Sequence, residues 1–162
     1  MSATRLTGAA GAITALGLLT LAFVGNWEGL RLVAYKDVIG VWTGCYGETK
    51  GIKSGMKFTQ EQCDVMFIDG LARHEAGMRR CLRWPDAIPD KTYVAFLSFT
   101  YNVGVGAFCR SGLARKANAG DLVGACNELP KWNKAGSKVL KGLVARRAKE
   151  KRLCLDGLEG ST

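Results

Sequence analysis

An uncharged stretch near the N-terminus constrains this chain more than any other feature. Between Arg5 and Glu28 there are 22 residues without a charge, 6–27. As a helix, that length could span the hydrocarbon of a bilayer. It would do so weakly, because the run holds four Gly, five Ala and three Thr. Gly8, Gly11 and Gly17 expose backbone and lower both helix propensity and apolarity. Arg5 precedes the run, which favours a cytoplasmic N-terminus and an exported body. Four fates are compatible with these residues. One is a cleaved signal peptide, with Thr20-Leu21-Ala22 as a passable site. The second is a permanent anchor, for which Leu, Ile and Phe are scarce. The third is a weak anchor that can leave the bilayer, which fits the composition best. The fourth is an Ala/Gly-rich helix inside a soluble core, which the glycines disfavour.

The cysteines agree with export. There are six, Cys45, Cys63, Cys81, Cys109, Cys126 and Cys154, and all follow the run. In an oxidising compartment they can form three disulfides, with fifteen pairings open. Some can instead be small buried hydrophobes. Cys126 and Cys154 fall on expected helices, which a bond between them would staple. Cys45 suits a structural disulfide, with Cys63 as the first partner to consider, or a regulatory thiol. With one His and no His/Cys pair at finger spacing, no metal site and no cofactor are expected.

Charge is concentrated late in the chain. The total is 23 basic against 14 acidic residues, a net +9. Residues 131–152 hold nine basic side chains and one acid, Glu150, so that segment carries +8 and the remainder +1. A one-sided basic helix over 137–154 is expected, with Val139, Leu140, Leu143, Val144, Ala148 and Leu153 on its apolar side. Such a face suits an anionic partner such as cell wall or lipid headgroups, or is simply solvated. Nucleic acid is not expected as a partner of an exported body.

The remaining punctuation gives an α+β chain, mostly helical. Gly40, Gly44, Gly47 and Gly51 around Val41 and Trp42 read as a hairpin or three short strands. Thr59 and Gln62 have capping-box spacing and open a helix to about Arg80. Pro89 and Asp90 open another, through Tyr93, Phe96, Leu97 and Phe99, to near Gly104. Asp121 caps a short helix to Leu129, stopped by Pro130. The expected division is an N-terminal segment, 1–24, and one body, 25–162.

Glu28 closes the uncharged run. Asp37 follows nine residues on, and Thr43 six further. A carboxyl at a helix end beside Trp27 and Leu30 is partly desolvated, which raises its pKa as a general acid requires. Asp37, in a polar turn beside Lys36, stays ionised. Two carboxyl groups whose environments differ in this way fit glycoside hydrolysis, and the Thr43 hydroxyl can hold a water. On spacing alone, two solvated carboxylates fit as well.

The surrounding residues are more specific. E-G-x-x-x-x-A-Y-x-D-x-x-G-x-x-T-x-x-Y-G covers 28–47, S-F-T-Y-N-V-G-x-G-A-F covers 98–108, R-S-G-L-A-R-K-A-N-A-G-D covers 110–121, and G-L-V-A-R-R-A-K-E covers 142–150. In that order they resemble the phage-type lysozymes of glycoside hydrolase family 24, over residues 26–155. The resemblance implies a lysozyme-like fold with a small antiparallel β-lobe and a helical lobe. It implies a muramidase that acts on bacterial peptidoglycan and causes host lysis. Glu28 would protonate the oxygen between N-acetylmuramic acid and N-acetylglucosamine. Asp37 and Thr43 would hold the attacking water on the opposite face, giving inversion across carboxyl groups about 6.5–9.5 Å apart. Substrate contacts are expected at Asn102, Tyr46 and Arg146. Asn102 alternatively serves only its helix, and Arg146 and Arg147 alternatively lie on a solvated surface. His74 is expected to be exposed and non-catalytic.

The N-terminus resembles the signal-anchor-release subgroup of these endolysins. That implies a monomer held through residues 6–24 at the periplasmic face of the host inner membrane, then released into the periplasm. Three departures stand out. Glu48 replaces a His common in the family. Ser111-Gly112-Leu113-Ala114 replaces S-T-L-L. No Cys precedes Cys45, so release has to act by moving the N-terminal helix itself. A lytic transglycosylase, which needs only the Glu, is the enzymatic alternative. A cationic wall-binding protein with a dead site is the non-enzymatic one.

Overall fold

The computed structural model describes residues 4–160. Positions 1–3 of the expected N-terminal segment and 161–162 of the expected body lie outside the described residues. The chain forms two compact units, 4–73 and 74–160.

In the first unit the uncharged run does not make one long helix. Its first third turns back on itself. Thr7 bridges Ile13, and the Gly8 amide donates to the Ala12 carbonyl at 2.7 Å. Thr14 then caps α1 (Ala15–Glu28): its Oγ1 accepts from the Gly17 amide at 3.0 Å. The same hydroxyl lies 2.6 Å from the Arg5 carbonyl and 3.1 Å from that of Leu6, so it closes the loop as well as the helix. Leu6 is fully buried, and its carbonyl lies so close over Gly17 that a Cβ there would strike it. Among the described residues no helix is long and apolar enough to cross a membrane. The expected boundary between 24 and 25 falls inside α1.

After Gly29, at φ 70°, the chain enters β1 (Arg31–Lys36) and β2 (Trp42–Cys45), which pair antiparallel with Tyr35 opposite Thr43. The free edge of β1 is met by residues 56–58: Ala34 donates to Met56, and Phe58 to Leu32. Cys45 is disulfide-bonded to Cys63, so the regulatory-thiol alternative falls. That bond ties the end of β2 to the first turn of α2 (Gln60–Cys81). The capping box is formed in both directions, Gln62 amide to Thr59 Oγ1 at 3.2 Å and Thr59 amide to Gln62 Oε1 at 2.8 Å.

The second unit is built around α3 (Asp90–Val103). Thr92 to Thr100 are all buried, so this helix has no solvent face along that stretch and is a core element by position. Its own Phe96 and Phe99 share the core with Phe108, Leu113 and Leu129, each fully buried and each stabilising by about 1.5–3 kcal/mol. The helices α4 (Val105–Arg110), α5 (Gly112–Asn118) and α6 (Leu122–Glu128) follow, with Asp121 capping α6 through the Gly124 amide at 2.8 Å. Two disulfides, Cys81–Cys109 and Cys126–Cys154, close loops of 28 residues' separation. Each is worth about 3–4 kcal/mol through unfolded-state entropy.

The C-terminal helix departs from its expected form in two respects. Lys138 and Val139 are not helical; they form β4 (Lys138–Val139), paired with β3 (Lys134–Ala135), and α7 spans Lys141–Glu159. The buried face is also different. Val139, Leu140 and Val144 are exposed, whereas Arg146, Arg147, Glu150, Cys154 and Gly157 are buried. The arginines can be inside because Glu150, three and four residues on, is inside with them. Gly157 sits where a Cβ would crowd Thr92, so α7 meets α3 backbone to backbone.

Lys116 and Lys131 converge on Glu128 at 2.7 and 2.8 Å. Their hydrogen bonds hold its carboxyl down at about 2. A carboxyl depressed by folding contributes stability above its unfolded value, and loses it as pH falls through the folded value. The melting-temperature gap between wild type and Glu128→Gln should therefore be constant above about pH 5 and close towards pH 2. A gap that stays unchanged down to pH 2 would refute the assignment.

Candidate active site

Four of the expected site residues, Glu28, Asp37, Thr43 and Tyr46, lie in the first unit; Asn102 and Arg146 lie in the second. Glu28 is the last residue of α1 and is half-buried. Gly29 ends the helix there, its amide donating to Gly25 at 3.2 Å. One turn earlier, Val24 is buried, and a Cβ at Gly25 would come into van der Waals range of Tyr46 and Phe67. Those two rings stack at 4.5 Å, so the end of α1 rests on a rigid aromatic pair. Trp27 is half-buried as expected beside an acid, but Leu30 is 37% exposed and supplies little apolar cover.

Asp37 opens the turn that joins β1 to β2. Its Oδ1 accepts from the Ile39 amide at 3.0 Å and the Val41 amide at 2.9 Å. Its own amide donates to the Val41 carbonyl, and its carbonyl accepts from Gly40, which takes φ 83°. The carboxylate is therefore held by the backbone of its own turn rather than by Lys36, whose ammonium lies over the Trp42 ring at 5.5 Å. Thr43 is buried, and its hydroxyl donates to the Val41 carbonyl at 3.0 Å. Its lone pairs stay available to an incoming donor. Val41 thus binds Asp37 through its N–H and Thr43 through its C=O, fixing an acceptor carboxylate and a hydroxyl on one hairpin.

Tyr46 has a structural role in the first unit. Its hydroxyl donates to Asp64 Oδ1 at 3.0 Å and accepts from Gln60 Nε2 at 2.9 Å. Burial, and then the hydrogen bond to Asp64, push its phenol upward. In the second unit, Arg146 is buried rather than solvated. It donates to Glu150 Oε1 from Nε at 3.1 Å and to the Ser98 carbonyl from Nη2 at 3.1 Å. Arg147 is fully buried too, and donates to Asn102 Oδ1 at 2.6 Å. His74 is half-buried against Tyr101, 4.7 Å ring to ring.

Two groups escaped the sequence reading. Glu150 organises both arginines; its spacing of three and four from them was the available sign. Glu75 is 1% exposed and accepts from the Tyr93 hydroxyl at 2.7 Å, beside Arg79, which also pairs with Asp86. Burial, with Glu75 as a further cause, drives the Tyr93 phenol well up. Nothing in the local spacing marks that set, because it joins α2 to α3 across a loop.

The chain is similar to known proteins over most of its length. The phage lysozyme profile matches residues 25–150. The SAR-endolysin of Enterobacteria phage PA-2 is 40% identical over 150 residues, covering 91% of this chain and 90% of its own. The crystal structure of the active form of P1 phage endolysin Lyz superposes with a TM-score of 0.79 at 27% identity, covering 94% of this chain and all of the other. The secreted inactive form of the same endolysin reaches only 0.58 at 25% identity, over 88% and 97%. On the extent of the profile and the identity to its relatives, this chain belongs to the phage lysozyme family and has the fold of its glycoside hydrolases.

Proposed function

We propose that the chain is an endolysin that hydrolyses the β-1,4 bond between N-acetylmuramic acid and N-acetylglucosamine in bacterial peptidoglycan, with inversion, to lyse the host cell. The observation that carries the reading is the Val41 clamp, which holds Asp37 and Thr43 together on one turn downstream of Glu28. Glu28 is the proton donor to the leaving oxygen. The Asp37 carboxylate takes a proton from the attacking water, and Thr43 Oγ1 orients that water. A general base must be held still and keep a free lone pair. Asp37 meets both needs: its Oδ1 is pinned by two amides, while the carboxylate has a second oxygen for the water. The substrate-side contact in the second unit is Asn102. Arg146, inside its hydrogen bonds, supports rather than touches.

The run 6–24 is the weak anchor, spanning the host inner membrane before release. The described arrangement corresponds to the released state, and the enzyme then acts in the periplasm as a monomer. The folded-back loop before α1, and the better match to an active than to an inactive endolysin, support this.

Four tests bear on the proposal. Glu28→Gln should release no reducing ends from purified cell wall while its circular dichroism melt matches wild type; residual wild-type activity would sink the assignment. Asp37→Asn keeps the Oδ1 acceptor, so its urea midpoint should hold while activity drops at least about 100-fold. Asp37→Ala should lose the same activity and about 1 kcal/mol of stability as well. Protein taken from host membranes should have the mass of an intact N-terminus. A mass lacking residues through Ala22 would replace the anchor with a cleaved signal.

A further inference from the structure

A buried relay in the second unit ends on an exposed side chain. Glu150 is fully buried in α7. Its Oε1 accepts from Ser98 Oγ at 2.6 Å and from Arg146 Nε at 3.1 Å. Its Oε2 pairs with Arg147 Nε at 2.9 Å. The Arg147 guanidinium is fully buried and lies over the Phe99 ring at 5.0 Å. From there Nη2 donates to Asn102 Oδ1 at 2.6 Å. Asn102 is exposed, one residue before the end of α3.

The chemistry of this chain fixes an orientation. A guanidinium has donors and no acceptor, so the atom of Asn102 that meets it is the carboxamide oxygen. The other end of the same carboxamide is Nδ2, which carries two N–H donors. With the oxygen held inward, the amide cannot flip without breaking a charge-assisted bond. Positive charge on Oδ1 also polarises the amide and strengthens Nδ2 as a donor. A carboxylate ligand would be matched by an exposed guanidinium fork. Here the fork is behind the amide, and what reaches the surface is a neutral, oriented donor. Its complement is a neutral carbonyl acceptor.

We infer that Glu150 is a positioning residue which, through Arg147, holds Asn102 as a fixed donor to the acetamido carbonyl oxygen of an amino sugar in the glycan. The inference rests on the muramidase reading and names the group on the substrate that the second unit recognises. The relay predicts that the enzyme reads N-acetylation at this point through a single hydrogen bond.

The test uses the full chain and soluble glycan strands, either fully N-acetylated or chemically de-N-acetylated, with reducing ends measured against substrate concentration. Asn102→Asp retains the acceptor for Arg147 and removes the donor. It should melt no lower than wild type and raise KM on acetylated strands about tenfold, with a smaller change in kcat. On de-N-acetylated strands, where no acetyl carbonyl remains to be met, that rise in KM should be absent. Glu150→Gln should raise KM in the same direction and add nothing to the effect of Asn102→Asp in the double variant. Where Glu150→Gln fails to fold, Ser98→Ala, which removes the hydroxyl on Oε1, serves the same cycle. An unchanged KM in Asn102→Asp on acetylated strands, a rise in KM that persists on de-N-acetylated strands, or additive effects in the double variant would each overturn the relay. Absence of reducing ends with wild type on acetylated strands would overturn the function itself.

Discussion

The second unit depends on a carboxylate placed where carboxylates rarely go. Glu150 has no solvent contact, and burial pushes its carboxyl upward, against the pull of Arg147, Ser98 and Arg146. Removing one member of such a set leaves charge buried without its counterpart, which costs about 3–5 kcal/mol. An apolar replacement of the whole set could be as stable. What it would lack is the reach of Arg147 to Asn102. The α3–α7 contact therefore combines two kinds of interaction: a backbone-close approach that requires the glycine at 157, and a polar cluster supplied by these side chains.

Much of the architecture was legible because it is local. The Thr59/Gln62 box, the Asp121 cap and the Pro89–Asp90 start are each decided within one turn of chain, and each stands where expected. The β1–β2 hairpin was legible through its glycines, and Asp37 at its turn proves to be held by amides two and four residues away. The C-terminal helix was misread for a physical reason. Periodicity weighs residues by polarity, so Val144 was assigned inward and Arg147 left near the surface. The structure inverts both, because a charge may be buried when an opposite charge is buried with it. The same blindness hid Glu75 and its bond to Tyr93, whose partners come from separate helices.

On the proposed reading, the composition of the N-terminal run has to suit two environments. Glycine at 17 weakens a bilayer helix and admits the Leu6 carbonyl in the folded chain. Threonine at 14 is a poor lipid-facing residue and here both caps α1 and closes the loop before it. A run richer in leucine would be a better anchor and could not make these contacts. Its small and hydroxylated residues are the ones that make the contacts of the folded-back loop.

The three disulfides join each cysteine to the next one along the chain, 45 to 63, 81 to 109 and 126 to 154, with no loop enclosing or crossing another. If the body is exported as proposed, residue after residue behind the N-terminal run, this is the pairing that order of arrival favours. Each bond can close before the next two thiols appear, so sequential arrival by itself selects the native set out of fifteen.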